Sequence, residues 1–254
     1  MLFDTHTHLN AKEFEEDLDE VLSRASDAGV SYMMVIGFDQ ETNRRAIEIA
    51  SKYPNIYASV GFHPTIAHEV NDEDFVLLEQ QLKHSQVVAV GECGLDLHWH
   101  KDTLDQQIEV FNHQIALSKK YDKPLVIHMR DVTEKMYETL KPYQQLSGIM
   151  HAFPSSPEMA ERFIELGLHI SLGGPVTFKN AKTPKEVAQK VDVSKLLIET
   201  DSPFLSPHPF RGKRNEPAKV RLVAEEIAKL KEMSLEELAT TTTRNALTLF
   251  RIKE

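Results

Sequence analysis

Short apolar runs rich in β-branched residues recur along the whole chain. They are L-F-D-T-H (2–6), Y-M-M-V-I-G (32–37), I-Y-A-S-V-G-F-H (56–63), V-V-A-V-G-E (87–92), P-L-V-I-H (124–128), G-I-M-H (148–151), L-H-I-S-L-G (168–173) and L-L-I-E-T-D (196–201). Their length and composition predict eight strands. The segments between them carry apolar residues at helical spacing. Phe14, Leu18, Val21, Leu22 and Ala25 share one helical face, as do Leu104, Ile108, Phe111 and Ile115, and later Val220, Val223, Ala224, Ile227 and Leu230. Helix starts are marked by Thr133 before Glu134, Ser156 before Pro157, and Ser234 ahead of Leu235.

Strands alternating with helices over 254 residues predict an α/β fold, a (β/α)8 TIM barrel spanning residues 1–254 as one domain. A doubly wound open sheet is the competitor. It would place a glycine-rich phosphate loop after the first strand, where this chain has Leu9-Asn10-Ala11. No repeat, low-complexity linker or domain boundary interrupts the pattern. The four threonines at 240–243 fall inside a terminal helical stretch.

Composition narrows the class. No apolar run approaches the roughly 18 residues of a membrane span, and no basic-then-apolar segment opens the chain as a signal peptide would. Cys93 is the single cysteine, which excludes an internal disulfide and suits a cytoplasmic protein. The net charge of -10 argues against coating nucleic acid by bulk attraction. It is compatible with an enzyme that holds phosphates locally. Nothing in the pattern calls for an obligate protein partner.

In a barrel, chemistry gathers at the C-terminal ends of the strands. The stretch D-T-H-T-H-L puts Asp4, His6 and His8 on one face of an extended strand, because side chains alternate with period two. The third run ends in His63, the fourth in Glu92, the fifth in His128, the sixth in His151 and the eighth in Asp201. Thus six of the eight runs finish on a metal-competent side chain. His6, His8, Glu92, His128, His151 and Asp201 make a candidate ligand set of four imidazoles and two carboxylates. That mixture suits zinc, manganese, iron, nickel or cobalt better than magnesium. Six ligands exceed the need of one tetrahedral ion, so the reading is two ions bridged by Glu92.

Other residues fall near this set. Asp201 either takes a proton from an attacking water or serves only as a ligand. His63 contacts a substrate phosphate or positions a ligand. Glu199, on the face of Asp201, orients a ligand histidine or belongs to a separate buried pair. Arg130 offers a phosphate-binding fork, with a plain surface arginine as the alternative. Arg211, Lys213 and Arg214 form the one compact basic cluster and read as substrate contacts, with a solvated loop as the alternative. Trp99 stacks on a base or caps a loop. His98 and His100 are redundant as ligands. Cys93, next to Glu92 on a strand, points toward the helices and reads as core.

In order along the chain, D-T-H-T-H-L, G-F-H-P, G-E-C-G-L-D, V-I-H-M-R, M-H-A-F, E-T-D-S-P and R-G-K-R-N-E-P resemble the signatures of the TatD-type metal-dependent deoxyribonucleases. These belong to the amidohydrolase-like (β/α)8 barrels. The resemblance runs from Asp4 to the terminal N-A-L-T-L-F. It implies one ion on His6, His8, Glu92 and Asp201, and a second on Glu92, His128 and His151. It also implies magnesium- or manganese-dependent hydrolysis of DNA phosphodiesters, often as a 3′-to-5′ exonuclease on single-stranded or frayed ends. Two positions depart from the family pattern. Cys93 stands where an apolar Ile or Met is common, and Phe153-Pro154-Ser155 stands where Ser-Gly commonly follows the phenylalanine. Two rival functions remain. One is an ester or amide hydrolase on the same scaffold, such as an aminoacyl-tRNA deacylase; the other is a non-catalytic metal-binding protein.

Overall fold

Each of the eight apolar runs forms a parallel strand, and hydrogen-bonded neighbours follow chain order from β1 to β8. The structure is a computed structural model that describes residues 1–143 and 145–253. Strands and helices alternate as β1 (Leu2–Thr7), α1 (Leu18–Asp27), β2 (Val30–Ile36), α2 (Gln40–Lys52), β3 (Ile56–Val60), α3 (Asp72–Gln81), β4 (Val87–Asp96) and α4 (Leu104–Tyr121). The second half continues with β5 (Leu125–Arg130), α5 (Thr133–Leu140), β6 (Gly148–Met150), α6 (Pro157–Glu165), β7 (Leu168–Leu172), α7 (Thr183–Lys190), β8 (Leu196–Ile198), α8 (Val220–Leu230) and α9 (Leu235–Leu249). The last seam lies just past β8. There the Asp201 N–H donates to the His6 carbonyl at 2.9 Å, and the His8 N–H donates to the Ser202 carbonyl at 2.7 Å. This is the expected (β/α)8 barrel.

Two apolar layers hold it. The larger one packs the outward strand faces against the helices, and Cys93 sits there with its Sγ 3.4 Å from the Val126 carbonyl, on the helix side as expected. The smaller one joins Phe3, Met34, Ile36, Ala89, Val126, Ile149 and Leu197 to Ala246, Leu247 and Phe250 at the end of α9. Because it draws on strands all round the barrel and meets only α9, it forms an apolar floor beneath the polar strand ends.

Local signals mostly act as read. Ser234 and Glu237 form a capping box, and the Ser156 hydroxyl accepts from the Met159 N–H at 3.3 Å. Thr133 does not cap: it is the first helical residue, and Val132 precedes it without a side-chain bond. Phe14 lies in a separate 3-10 turn (Lys12–Phe14) rather than in α1. β4 runs on from Glu92 to Asp96, whereas β3 and β8 stop at Val60 and Ile198. Hence His63 and Asp201 stand in loops just beyond their strands.

Candidate metal centre

β1 leaves His6 and His8 with their Nε2 atoms 3.3 Å apart. Glu92 Oε2 lies 3.5 Å from His6 Nε2 and 3.9 Å from His8 Nε2. Asp201 Oδ1 lies 3.6 Å and 3.4 Å from the same two atoms. Ligands about 2.1 Å from a tetrahedral ion stand about 3.4 Å from one another, so these separations fit donors converging on one centre. Asp201 reaches it from the left-handed backbone region (φ 55), a conformation that costs a non-glycine residue energy and is held here by its bond to His6.

Glu92 turns its other oxygen to a second group. Its Oε1 is 3.0 Å from His151 Nε2, 3.1 Å from His128 Nδ1 and 3.5 Å from His63 Nε2. His128 Nδ1 and His151 Nε2 are 3.3 Å apart. The two groups adjoin, because the His6 and His151 rings stack at 3.9 Å. All six expected ligands therefore meet in one place, and His63 stands beside them.

The rear nitrogen of each ring decides what the front one can do. His8 Nδ1 lies 3.3 Å from the Ile36 carbonyl, His128 Nε2 lies 2.8 Å from Asp96 Oδ2, and His151 Nδ1 lies 3.4 Å from Glu199 Oε1. The His8 and His128 contacts are hydrogen bonds, which draw the ring proton to the rear and leave a lone pair at the front, whereas His151 Nδ1 stands near Glu199 without forming one. His63 is reversed. Its Nδ1 accepts the Thr65 N–H at 3.2 Å, so a neutral ring carries its proton on Nε2 and presents a donor. Burial, and then the neighbouring His128, lower its pKa to about 3, which keeps the ring neutral. With Glu92 and His128, His63 also stands close enough to share an ion, so donor and ligand geometry coincide at this ring.

Burial alone would raise the Glu92 carboxyl, but the surrounding His151, His6 and His63 imidazoles hold it well below its usual range. Asp201 is likewise lowered against its burial by the His8 bond and the His6 charge. Asp4, expected on the face of the two histidines, does not join them. β1 shifts register between Asp4 and Thr7, and Asp4 accepts from the Thr200 N–H at 2.8 Å and from the Thr200 hydroxyl.

A cavity of about 500 Å³ opens over the site, lined among others by Phe38, Thr65, Trp99, Arg130, Pro154 and Phe204. Arg130 stands on its rim with the guanidinium 5.5 Å over the Trp99 ring, and Trp99 is 65% exposed, so neither is spent on the core. Pro154 brings the Phe153-Pro154-Ser155 departure to the cavity wall, whereas Cys93 stays behind it. Arg211 and Lys213 do not line this cavity but an adjoining one beyond Phe204 and Leu205. Arg214 lines that adjoining cavity too, but its guanidinium is paired with Asp17. Glu199 stands beside His151, with Oε1 3.4 Å from its Nδ1 but no hydrogen bond between them, and accepts the Ala152 N–H at 2.7 Å. Sequence reasoning missed Asp96. The signal was present, since Glu92, Gly94 and Asp96 alternate along β4, but that run was read as ending at Glu92.

The sequence model for TatD related DNase matches residues 3–251. The chain belongs to that family. YabD of Bacillus subtilis (strain 168), named an uncharacterized metal-dependent hydrolase, is 51% identical over 254 residues, covering 99% of this chain and 100% of that protein. YcfH of Escherichia coli (strain K12), named in the same way, is 36% identical over 257 residues, covering 99% and 96%. The crystal structure of YjjV, a TatD homologue from Escherichia coli K12, matches with a TM-score of 0.94 at 32% identity, over 99% of this chain and 98% of that one. This TatD-family chain thus takes its place among metal-dependent hydrolases. Its His and Glu groupings, His6 with His8 and Glu92, His6 with His151 and Glu199, and His63 with Glu92 and His128, supply donors that can hold metal. No helix among the described residues is long and apolar enough to cross a membrane.

Proposed function

We propose that this TatD-family hydrolase carries a dinuclear centre and cleaves DNA phosphodiester bonds, working as a 3′-to-5′ exonuclease on single-stranded or frayed ends. One observation carries the reading: Glu92 aims Oε2 at His6 and His8 and Oε1 at His128 and His151, as a carboxylate bridging two ions would. The donors fit the group, with rear acceptors hydrogen-bonded behind two of the four ligand imidazoles. His6, His8, Glu92 and Asp201 would hold one ion; Glu92, His128 and His151 would hold the other. Two divalent ions held there, magnesium or manganese for activity, would lower the pKa of a water and neutralise phosphoryl charge.

The chain's own residues do the rest. Asp201 directs Oδ1 at the imidazoles, and among the described residues no hydrogen bond engages its Oδ2. That oxygen takes the proton from the attacking water and returns it to the oxygen that leaves phosphorus. His63 donates from Nε2 to a non-bridging phosphate oxygen. Arg130 on the rim pairs with a flanking phosphate.

The test uses metal-stripped protein and single-stranded oligonucleotides labelled at either end, with magnesium or manganese restored and Asp201→Asn as control. Metal-dependent laddering from one end, lost in the variant, is the expected result. No cleavage with any ion, with metal binding verified, overturns the reading in favour of ester or amide substrates.

A further inference from the structure

Two further cavities extend from the metal cavity along the loops after β7 and β8. The first, about 500 Å³, shares Phe204 and Leu205 with the metal cavity and is walled further by Phe178, Arg211 and Lys213. The second, about 540 Å³, shares Phe178 and Arg211 with the first and adds Lys179 and His208. The outermost shares no residue with the metal cavity, so the three follow one another in a line. The two loops are docked to form it. The His208 N–H donates to Thr177 Oγ1 at 2.8 Å, and Gly174 packs so closely on the Leu205 carbonyl that no Cβ would fit between them.

The lining has an unusual charge state for a chain of net charge -10. Arg24, Arg44, Lys120 and Arg214 each pair with a carboxylate. Among the described residues, Lys179, Arg211 and Lys213 have no such partner, and Glu13 is the one acid lining either outer cavity. Aromatic faces alternate with these cations. Phe204 is 55% exposed at the boundary with the metal cavity, and the Arg211 guanidinium lies 4.6 Å over the Phe178 ring. An exposed ring at Phe204 and a half-buried one at Phe178, interleaved with unpaired cations, suit a single strand of nucleic acid, since bases stack and phosphates need charge.

We propose that the strand cut in the metal cavity continues over Phe204 into both outer cavities. Its bases stack on Phe204 and Phe178, and its phosphates meet Arg211, Lys213 and Lys179. The protein therefore grips at least two nucleotides beyond the scissile bond on this side. This rests on the phosphodiesterase reading and adds a length requirement that the metal centre alone does not impose.

Two measurements test it. The first compares kcat/KM for a dinucleotide and an oligothymidylate octamer, using metal-loaded wild type, a Lys179→Gln/Arg211→Gln/Lys213→Gln variant, and a Lys52→Gln/Lys141→Gln/Lys229→Gln control with the same change of charge. Wild type and control should prefer the octamer at least about tenfold, through stacking and phosphate contacts together. The track variant, which keeps both rings but loses the phosphate contacts, should narrow that gap severalfold. The second follows anisotropy of the labelled octamer on Asp201→Asn protein against salt. Adding the three track substitutions should flatten the log–log slope by about 2, at about 0.7 per lost phosphate contact. An unchanged gap with an unchanged slope overturns the track. Absence of cleavage in wild type overturns the phosphodiesterase reading instead, and the slope still judges the track.

Discussion

His128 and Asp96 meet at 2.8 Å, Nε2 to Oδ2, and this one contact sets which nitrogen of His128 faces Glu92. The other oxygen of Asp96 accepts the N–H groups of His98 and Trp99 at 2.8 Å and 2.9 Å. In Asp96→Asn, those two donors would keep the amide oxygen and leave its NH2 facing His128. The ring would then move its proton to Nδ1, toward Glu92, and lose its lone pair there. The expected outcome is a folded protein that binds its weaker metal about 10–100-fold less tightly, read by calorimetric titration. Unchanged affinity would show that the contact does not set the tautomer.

His63 gives the opposite expectation. As a donor outside the ligand set, it can be replaced without loss of metal. His63→Gln should retain the wild-type metal content by elemental analysis while kcat falls about 10²-fold, the scale for losing one preorganised donor. Loss of an ion from this variant would instead make His63 a ligand.

Removing metal should destabilise the fold, because the ligands come from both sides of the barrel seam and from strands distant in sequence. At free metal about a hundredfold above Kd, each of the two ions adds about 2.7 kcal/mol, which in a chain of this size corresponds to roughly 10–20 °C in Tm for the pair. Chelation should lower Tm by that amount. Glu92→Gln, stripped of the charge shared by both groups, should show little difference with and without metal.

Stability should also fall on mild acidification through a residue remote from the metal. His169 lies on β7 with a buried, unpartnered Nδ1, and burial, aided by Lys195, lowers its pKa to about 4. The unfolded chain binds a proton near pH 6.5 that the folded chain takes up only near pH 4. Stability is therefore fully present above about pH 6.5 and is lost as pH drops from there toward 4. Between pH 7 and 5 this amounts to about 1 kcal/mol after allowing for partial exposure. Urea denaturation of wild type and His169→Gln at the two pH values measures it; an equal acid loss in both would rule out His169 as the cause.

Much of the barrel is legible in the chain because each strand and helix carries its own period. The ligands are legible for a related reason: a barrel collects strand ends, so a metal-competent residue after each apolar run has a destination before any contact is known. His6 and His8 needed only the alternation of one strand to be read as a pair. The rest depends on neighbours distant in sequence. Asp96 acquires its role from a ring 32 positions away, and Asp4 is drawn from the histidines by Thr200, 196 positions away. Within one basic loop, Arg214 is neutralised by Asp17 while Arg211 and Lys213 stay free, and their sequence neighbours do not distinguish them. The ring nitrogens follow the same rule. Composition supplies the imidazoles, but whether a given nitrogen holds a proton or a lone pair is set by the acceptor or donor that barrel closure places behind it.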